Sequence, residues 1–197
     1  MIKSLPVFVC LGVVFAQESR PLRMTDIQVI GSHNSYHVGL AANEFAYLTK
    51  ASAPTAAALA YKHPPLEAQL NAGVRQFELD VFGDAKGGLF ANPAAPGMLA
   101  KAGLPADAAF DPEGKMKKPG FKVLHVQDLD YRSSCQPLVE CLSVIRTWSQ
   151  AHPRHLPIYV MIENKDGQPR PEYMVKPEEI TTAAMEALDD EILNVFR

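Results

Sequence analysis

The sequence predicts an α/β fold with parallel strands, and three observations support this prediction. Short apolar runs alternate along the chain with longer amphipathic stretches, as they do in repeated strand–helix units. Polar residues capable of chemistry follow the ends of these apolar runs and are not scattered. The chain has 197 residues, of which 47% are hydrophobic and 21% charged, so it can bury the core of one domain.

The first 16 residues have the pattern of a secretory signal peptide. Lys3 supplies a short positive region, an apolar run follows from Leu5 to Phe15, and Ala16 is the small residue before a polar stretch. A membrane anchor is the alternative, but the apolar run is shorter than the roughly 20 residues that span a bilayer. We therefore expect a secreted or periplasmic protein whose mature chain begins at residue 17.

Apolar patterns in the remaining chain predict a series of strands and helices. Short apolar runs bounded by turn residues predict four strands, at 27–30, 74–82, 121–126 and 157–162. Apolar residues at helical spacing predict three helices, at 64–72, 136–151 and about 177–188. Pro64 and Pro65 open the first helix, and Gly73 is placed to end it.

The second strand and the second helix have the clearest patterns. In the strand, Phe77, Leu79 and Val81 occupy one face and polar side chains occupy the other. In the helix, apolar residues recur from Leu138 to Trp148 and form a stripe that we expect to pack in the core. Residues 83–120 lie between the second and third strands, are rich in Gly, Pro, Ala and Lys, and predict a long insertion loop.

Charge and cysteine content limit the partners and the chemistry. Nineteen basic and 22 acidic residues give a net charge of −3, and no basic block resembles a nucleic-acid footprint. The lysine cluster at 115–118 could contact an anionic substrate, but charge runs are usually solvated, so we interpret it as a solubilising feature. Cys135 and Cys141 could form a disulfide after export. They lie six residues apart where the second helix is expected to begin, and a pair inside one continuous helix has poor geometry for a disulfide. A bridge and two separate, partly buried cysteines therefore both remain open.

The residues that could carry chemistry lie at the carboxyl ends of the four predicted strands. They are His33 and Asn34 after the first strand, Glu78 and Asp80 in the second, His125 in the third, and Glu163 and Lys165 after the fourth. In parallel α/β folds, and in barrels above all, the carboxyl ends of the strands meet at one edge, where catalytic groups converge. We therefore expect these side chains to form one site.

Glu78 and Asp80 predict a site for a hard cation. Residues two apart on a strand project to the same face, so both carboxylates lie together on an otherwise apolar strand. Two buried acids repel each other unless a cation or protons compensate, and oxygen ligands, the Asn34 amide included, suit calcium or magnesium better than zinc. Taken alone, the pair is equally compatible with two solvated carboxylates at an exposed edge.

Two histidines predict acid–base chemistry. His33 and His125 flank the acidic pair, and histidine titrates near neutrality, so one can take a proton while the other gives one up. The other histidines lack this setting, and we interpret them as structural or solvent-facing: His37, His63, His152 and His155. Lys165 could contact a phosphate, although a lysine just past a strand end is equally often a solvated loop residue.

Four short motifs in this order resemble the phosphatidylinositol-specific phospholipase C superfamily. They are Gly-Ser-His-Asn-Ser-Tyr-His at 31–37, Glu-Leu-Asp at 78–80, Leu-His at 124–125 and Ile-Glu-Asn at 162–164. The Glu-x-Asp and Ile-Glu-Asn elements are similar to those of its calcium-dependent branch. Each motif alone is weak, but the ordered set, which spans about residues 26–165, is specific.

The resemblance implies a function and a set of roles. It implies a phosphodiesterase that cleaves the glycerol–phosphate bond of phosphatidylinositol-type lipids at a membrane surface. The metal would be Ca²⁺, with Mg²⁺ less expected, and its ligands would be Asn34, Glu78, Asp80 and Glu163. His33 would stabilise the charge that develops on the phosphoryl group, and His125 would protonate the departing glycerol oxygen. Lys165 would contact the substrate.

The resemblance also implies a TIM-barrel-like (β/α)8 fold, of which this chain would supply only the N-terminal half. Such barrels need about 250 residues, and only four strands are predicted here. Two alternative functions remain. A glycerophosphodiester phosphodiesterase shares the barrel and the order of its residues, but usually has Arg where this chain has Asn34. A non-catalytic secreted binding protein on the same scaffold would not need its histidines.

Overall fold

The computed structural model describes residues 21, 23–166 and 171–197, so the predicted signal peptide lies outside the described residues. The described residues form a mixed α/β fold around one four-stranded sheet. The strands are β1 (Ile30–Ser32), β2 (Val74–Phe82), β3 (Lys122–Val123) and β4 (Tyr159–Asn164). The helices are α1 (Ala42–Ala51), α2 (Ala53–Ala58), α3 (Leu66–Asn71), α4 (Ala95–Lys101), α5 (Leu138–Ala151) and α6 (Thr182–Phe196).

The central strand of the sheet is β2, which has the bounds that its alternating pattern predicts. Strands β1 and β4 both pair with it in parallel, β4 in continuous register from Gln76 opposite Tyr159 to Val81 opposite Asn164. The side chains of Phe77, Leu79 and Val81 are fully buried on its apolar face. The sheet therefore carries both predicted acidic residues of β2 on its other face.

The third strand is shorter than predicted and runs in the opposite direction. Lys122 and Val123 pair antiparallel with the end of β2, at Phe82 and Val81. A parallel strand needs a crossover connection, whereas the segment at 83–121 contains α4, which packs against α1, and returns to the end of β2 where it left the sheet. The expectation of a strand at 121–126 in a fully parallel set is therefore wrong.

The helices of the structure also differ from those predicted. The insertion at 83–120 contains α4 and a single 3₁₀ turn at Lys115–Lys117, and the helices α1 and α2 were not predicted. The last helix begins later than expected, where the Thr181 hydroxyl caps it by accepting a hydrogen bond from the Ala184 backbone N–H at 3.2 Å. None of the described helices is both long enough and apolar enough to cross a membrane.

Helix α5 closes the core over the apolar face of β2, as its stripe predicts. Its buried side chains include Leu142, Ile145 and Trp148. Cys135 and Cys141 form a disulfide, with their Cα atoms 5.2 Å apart. The two cysteines do not share one continuous helix, because α5 begins at Leu138. The loop before α5 is therefore linked covalently to its first turn.

Candidate metal centre and active site

Three carboxylates gather at the carboxyl end of β2. Glu78 and Asp80 share the face opposite the core, and the pairing of β4 with β2 sets Glu163 beside Asp80. Each of the three offers an oxygen, and these oxygens lie within 4.8 Å of one another. Asp80 is fully buried and Glu78 nearly so, whereas about half of the Glu163 side chain is exposed. The three residues, called the acidic cluster below, therefore form a group that is buried at Glu78 and Asp80 and reaches solvent at Glu163.

Lys165 balances part of this negative charge. Its Nζ lies 2.8 Å from Asp80 Oδ2 and 3.1 Å from Glu163 Oε1. Its backbone N–H donates to the Val81 carbonyl at 2.9 Å, which holds the residue at the end of the sheet. Burial disfavours the ammonium charge, but hydrogen bonding and attraction to Asp80 and Glu163 prevail and raise the pKa of Lys165.

The charge of Asp80 remains incompletely compensated. Oδ1 of Asp80 makes no hydrogen bond with the described part of the chain. Burial raises the pKa of Asp80 even though the Lys165 ammonium acts in the opposite direction. A buried carboxylate with an unpartnered oxygen and a raised pKa is stabilised by a further cation. Asp80 therefore has the electrostatic surroundings of a metal ligand.

The loop after β1 brings His33 and Asn34 to the same end of β2. The Glu78 N–H donates to Ser35 Oγ at 2.9 Å and the Ser35 N–H donates to the Glu78 carbonyl at 3.0 Å, so the loop continues the pairing of the two strands. Asn34 has a φ of 48°, in the left-handed region that Asn tolerates better than most residues. His33 Nε2 lies 3.6 Å from Glu78 Oε1, and 72% of the His33 side chain is exposed.

The side chain of Asn34 is held by two tyrosines. Its Nδ2 donates to the Tyr61 hydroxyl at 2.7 Å, and its Oδ1 accepts from the Tyr36 hydroxyl at 3.3 Å. Burial and the charge of Asp80 raise the pKa of Tyr36, so that hydroxyl stays protonated and can donate. The amide of Asn34 is thus buried, oriented and connected to the acidic cluster through Tyr36.

The second predicted histidine is held by a carboxylate that the sequence analysis missed. His125 Nδ1 lies 2.8 Å from Asp130 Oδ2. Asp130 also contacts His37, whose Nε2 lies 2.9 Å from Oδ1 and 2.8 Å from Oδ2. Burial opposes ionisation of Asp130, but hydrogen bonds to His125 and His37 hold its pKa below the usual value. The three residues are called the His–Asp unit below.

His37 is the histidine whose setting differs most from the expectation. We interpreted it as structural or solvent-facing, and the structure places it, fully buried, in the His–Asp unit. Its position four residues after His33 in one polar run was the available signal. The remaining histidines lie outside both clusters: His63 contacts the His33 carbonyl at 2.9 Å, and His152 and His155 lie beside Trp148.

Two contacts join the His–Asp unit to the acidic cluster and to Asn34. The Leu124 N–H donates a hydrogen bond to the Asp80 carbonyl at 3.3 Å. Because His125 is the next residue, this bond holds it near the end of β2. Tyr61, which accepts from Asn34, stacks on His37 with ring centroids 4.2 Å apart. The residues predicted from the four strand ends thus converge on one end of β2, although His125 arrives there from an antiparallel strand.

The arrangement combines two chemical capacities. Carboxylate and amide oxygens from two strands and a loop match the ligands that calcium and magnesium prefer. A partly buried imidazole with a carboxylate on one nitrogen can hold and transfer a proton at the other. A phosphodiester next to both groups would meet cationic stabilisation and a proton donor together.

Comparisons with known proteins identify a matching family and similar solved structures. Residues 22–197 match the model of the family described as phosphoinositide phospholipase C, Ca²⁺-dependent. No curated protein matches the chain. Solved structures of a calcium-dependent phosphoinositol-specific phospholipase C from the Gram-negative bacterium Pseudomonas sp resemble it at low identity. One, titled as an apo form and myoinositol complex, has 16% identity and a TM-score of 0.42 over 86% of this chain and 40% of that one.

A second structure of that enzyme, crystal form 2 of the apo form, has 15% identity and a TM-score of 0.38 over 83% of this chain and 41% of its own. The chain thus spans about two fifths of the length of these bacterial enzymes. The match to the family model, in contrast, extends over most of the chain. The chain belongs to the calcium-dependent phosphoinositide phospholipase C family.

Proposed function

We propose that the protein is a secreted or periplasmic, calcium-dependent phospholipase C that cleaves the glycerol–phosphate bond of phosphatidylinositol-type lipids at a membrane surface. The observation that carries the proposal is the acidic cluster, in which buried Asp80 keeps an unpartnered oxygen and Glu78 lies 3.6 Å from His33 Nε2. His125 directly follows Leu124, whose N–H lies 3.3 Å from the Asp80 carbonyl. The proposed activity is that of the whole protein, since the chain spans only part of the length of similar enzymes.

Calcium is the metal that the cluster fits best. Glu78, Asp80 and Glu163 would hold the ion, and Asn34 would add its amide oxygen. Calcium accepts flexible coordination by several oxygens, whereas magnesium demands near-ideal octahedral geometry and retains water. Ligands drawn from two strands and a loop, one of them half exposed, favour the more adaptable ion. When bound, calcium would supply Lewis acidity toward a phosphoryl oxygen and a neighbouring hydroxyl.

The two histidines have different surroundings, which support different roles. The exposed imidazole of His33 is accessible to substrate and borders Glu78, so it would donate to a phosphoryl oxygen on which charge develops. His125 is more buried and pairs through Nδ1 with Asp130, so its Nε2 would deliver a proton to the departing glycerol oxygen. Neither step requires a nucleophilic side chain, because the attacking group is the inositol hydroxyl. A carboxylate of the acidic cluster would accept the proton that this hydroxyl loses as it attacks the phosphorus.

Lys165 would change partners during the reaction. Its ammonium now contacts Asp80 and Glu163, two of the proposed calcium ligands. With calcium on these carboxylates, the ammonium would be free to contact the phosphate of the substrate. Export is supported by the signal-like pattern of residues 1–16 and by the disulfide, since disulfides persist in oxidising compartments.

The direct test is hydrolysis of vesicles that contain phosphatidylinositol, in calcium and in chelator, with phosphorus NMR of the products. We expect calcium-dependent release of inositol phosphates. His125→Ala should lower turnover roughly 10²- to 10⁴-fold, because it removes a general acid. His152→Ala, at the end of α5, should retain activity as the matched control.

Three results would contradict the proposal. Turnover that persists in chelator would remove the metal from the mechanism. Preferential hydrolysis of glycerophosphocholine would favour the glycerophosphodiesterase alternative. Vesicle binding without turnover, unchanged in His33→Ala, would favour a binding protein on the same scaffold.

A further inference from the structure

We propose that Asp130 and His37 act together as positioning residues that fix the tautomer and orientation of His125, so that only its Nε2 is free to transfer a proton. This inference rests on the proposed function for its catalytic consequence. The contacts of the unit are independent of that function and can be tested without it.

The first argument is burial. Asp130 and His37 are both inaccessible to solvent, with side-chain exposures of 0%, whereas 22% of the His125 side chain is exposed. A buried carboxylate without hydrogen bonds is strongly destabilised. Both Asp130 oxygens instead contact imidazole nitrogens at 2.8–2.9 Å. The unit is therefore a buried, hydrogen-bonded contact between loops and not an ion pair at the surface.

The second argument is the direction of the hydrogen bonds. Asp130 has a pKa below the usual value, so it is ionised at neutral pH and can only accept. Both imidazoles must then donate to it, His125 from Nδ1 and His37 from Nε2. Neutral His125 is thereby held in the tautomer with its proton on Nδ1, and its Nε2 is the nitrogen that gains and releases the catalytic proton.

The third argument concerns what His37 adds. Its ring stacks on Tyr61 and stands nearly perpendicular to the His125 ring, with centroids 6.0 Å apart and an interplanar angle of 89°. The backbone beside it is also paired, because the Ser134 N–H donates to the Tyr36 carbonyl at 2.8 Å. His37 thus secures the orientation of Asp130 and connects the loop of His125 to the loop that carries Asn34.

Two titratable tyrosines, Tyr36 and Tyr61, lie next to the unit. Burial is the main cause of the raised pKa of both Tyr36 and Tyr61, and the negative charge of Asp130 contributes to both. These hydroxyls therefore stay protonated at neutral pH and do not compete with His125 for a proton. The tautomer of His125 is therefore set by the carboxylate of Asp130, which accepts from its Nδ1.

The test combines nitrogen-15 NMR of the His125 ring with steady-state kinetics. We expect wild type to show the Nδ1–H tautomer and Asp130→Asn to show a mixture, because an amide can also donate. Turnover by Asp130→Asn should fall roughly 10- to 100-fold in kcat with little change in KM, as for loss of an interaction made in the transition state.

Three further variants separate positioning from general stability. Asp128→Asn changes a buried carboxylate of the same loop, which accepts hydrogen bonds from the Ala94 and Val175 N–H groups, and it should leave the His125 tautomer unchanged. His37→Phe keeps an aromatic ring against Tyr61 but removes the donor, and should lower kcat several-fold. His37→Gln restores a donor and should recover part of that loss.

The outcomes distinguish this inference from the proposed function. An unchanged His125 tautomer in Asp130→Asn, or an equal effect of Asp128→Asn on that tautomer, would overturn the inference even if the enzyme is active. An altered tautomer with unchanged kcat would overturn the catalytic consequence. Absence of turnover in wild type would overturn the proposed function, while the NMR comparison would still decide the pairing.

Discussion

The acidic cluster and the His–Asp unit lie at the same end of β2 but differ in how their buried charge is balanced. Asp80 and Asp130 are both fully buried carboxylates. Asp80 has a pKa raised by burial and one oxygen without a partner, whereas two imidazoles hold the pKa of Asp130 below its usual value. Burial acts in the same direction in both. For Asp80, the Lys165 ammonium and the Tyr36 hydroxyl do not offset burial, and Glu163 adds a second negative charge, whereas the two imidazoles do offset burial for Asp130.

This difference separates binding from positioning. A buried carboxylate whose charge is incompletely compensated is stabilised when a cation binds, so the acidic cluster responds to metal. A carboxylate that already has its donors is complete within the chain, so the His–Asp unit is pre-organised before substrate arrives. Substitutions in the two regions should therefore change different measurements.

A large effect is expected when the ammonium within the acidic cluster is removed. Lys165→Met deletes an ammonium that lies 2.8 Å from Asp80, so it leaves the cluster more negative. Calcium affinity should rise about tenfold, since electrostatic energies of a few kcal/mol are typical of partly buried charges at this separation. Without calcium, the unfolding midpoint should fall by several degrees, because a buried carboxylate loses its partner.

The control for this prediction is Lys101→Met, which removes an exposed lysine in the last turn of α4. It should change neither calcium affinity nor the midpoint measured by thermal unfolding with and without calcium. If Lys165→Met changes calcium affinity and the unfolding midpoint no more than this control does, the Lys165 ammonium does not interact with the calcium ligands.

A smaller effect, of opposite sign in the two regions, is expected in the pH dependence of stability. The folded-state pKa of Asp130 lies below the ordinary 3.8, so its contribution to stability is complete above that pH and is lost as the pH falls through the folded value. The folded-state pKa of Asp80 lies above 3.8, so its contribution is present at low pH and is lost as the pH rises through the folded value.

Urea unfolding of the calcium-free protein as a function of pH measures this difference. The free energy of unfolding that Asp130→Asn loses relative to wild type should shrink as the pH falls below about 4. The free energy of unfolding of Asp80→Asn should increase relative to that of wild type as the pH rises above about 4. If the free energies of unfolding of both variants and wild type changed in parallel with pH, the pKa values of the two carboxylates would not be shifted in opposite directions.

The sequence predicted best where one regular element determines the position of several residues. The period of two in β2 predicted its bounds and the shared face of Glu78 and Asp80. The parallel pairing that brings Glu163 beside Asp80 follows from the alternation of strands and helices. The site at the carboxyl end of the sheet was predictable for the same reason.

Contacts between irregular segments were not predictable. Asp130 and His37 meet across 93 residues through two loops without apolar periodicity, so no local pattern connects them. The direction of β3 depends on where the insertion returns to the sheet, which composition does not determine. The disulfide joins Cys135, which lies before α5, to Cys141 in the first turn, and the sequence left it open because helix boundaries are the least certain feature of a sequence pattern.

Calorimetric titration with calcium, performed on wild type, Asp80→Asn and Asp130→Asn, tests the central claim most directly. We expect saturable binding in wild type and in Asp130→Asn, and affinity at least about 100-fold weaker in Asp80→Asn, since that variant loses a buried charged ligand. Circular dichroism would establish that all three are folded. Undiminished binding in Asp80→Asn, or loss of binding in folded Asp130→Asn, would contradict the division between a metal site and a positioning unit.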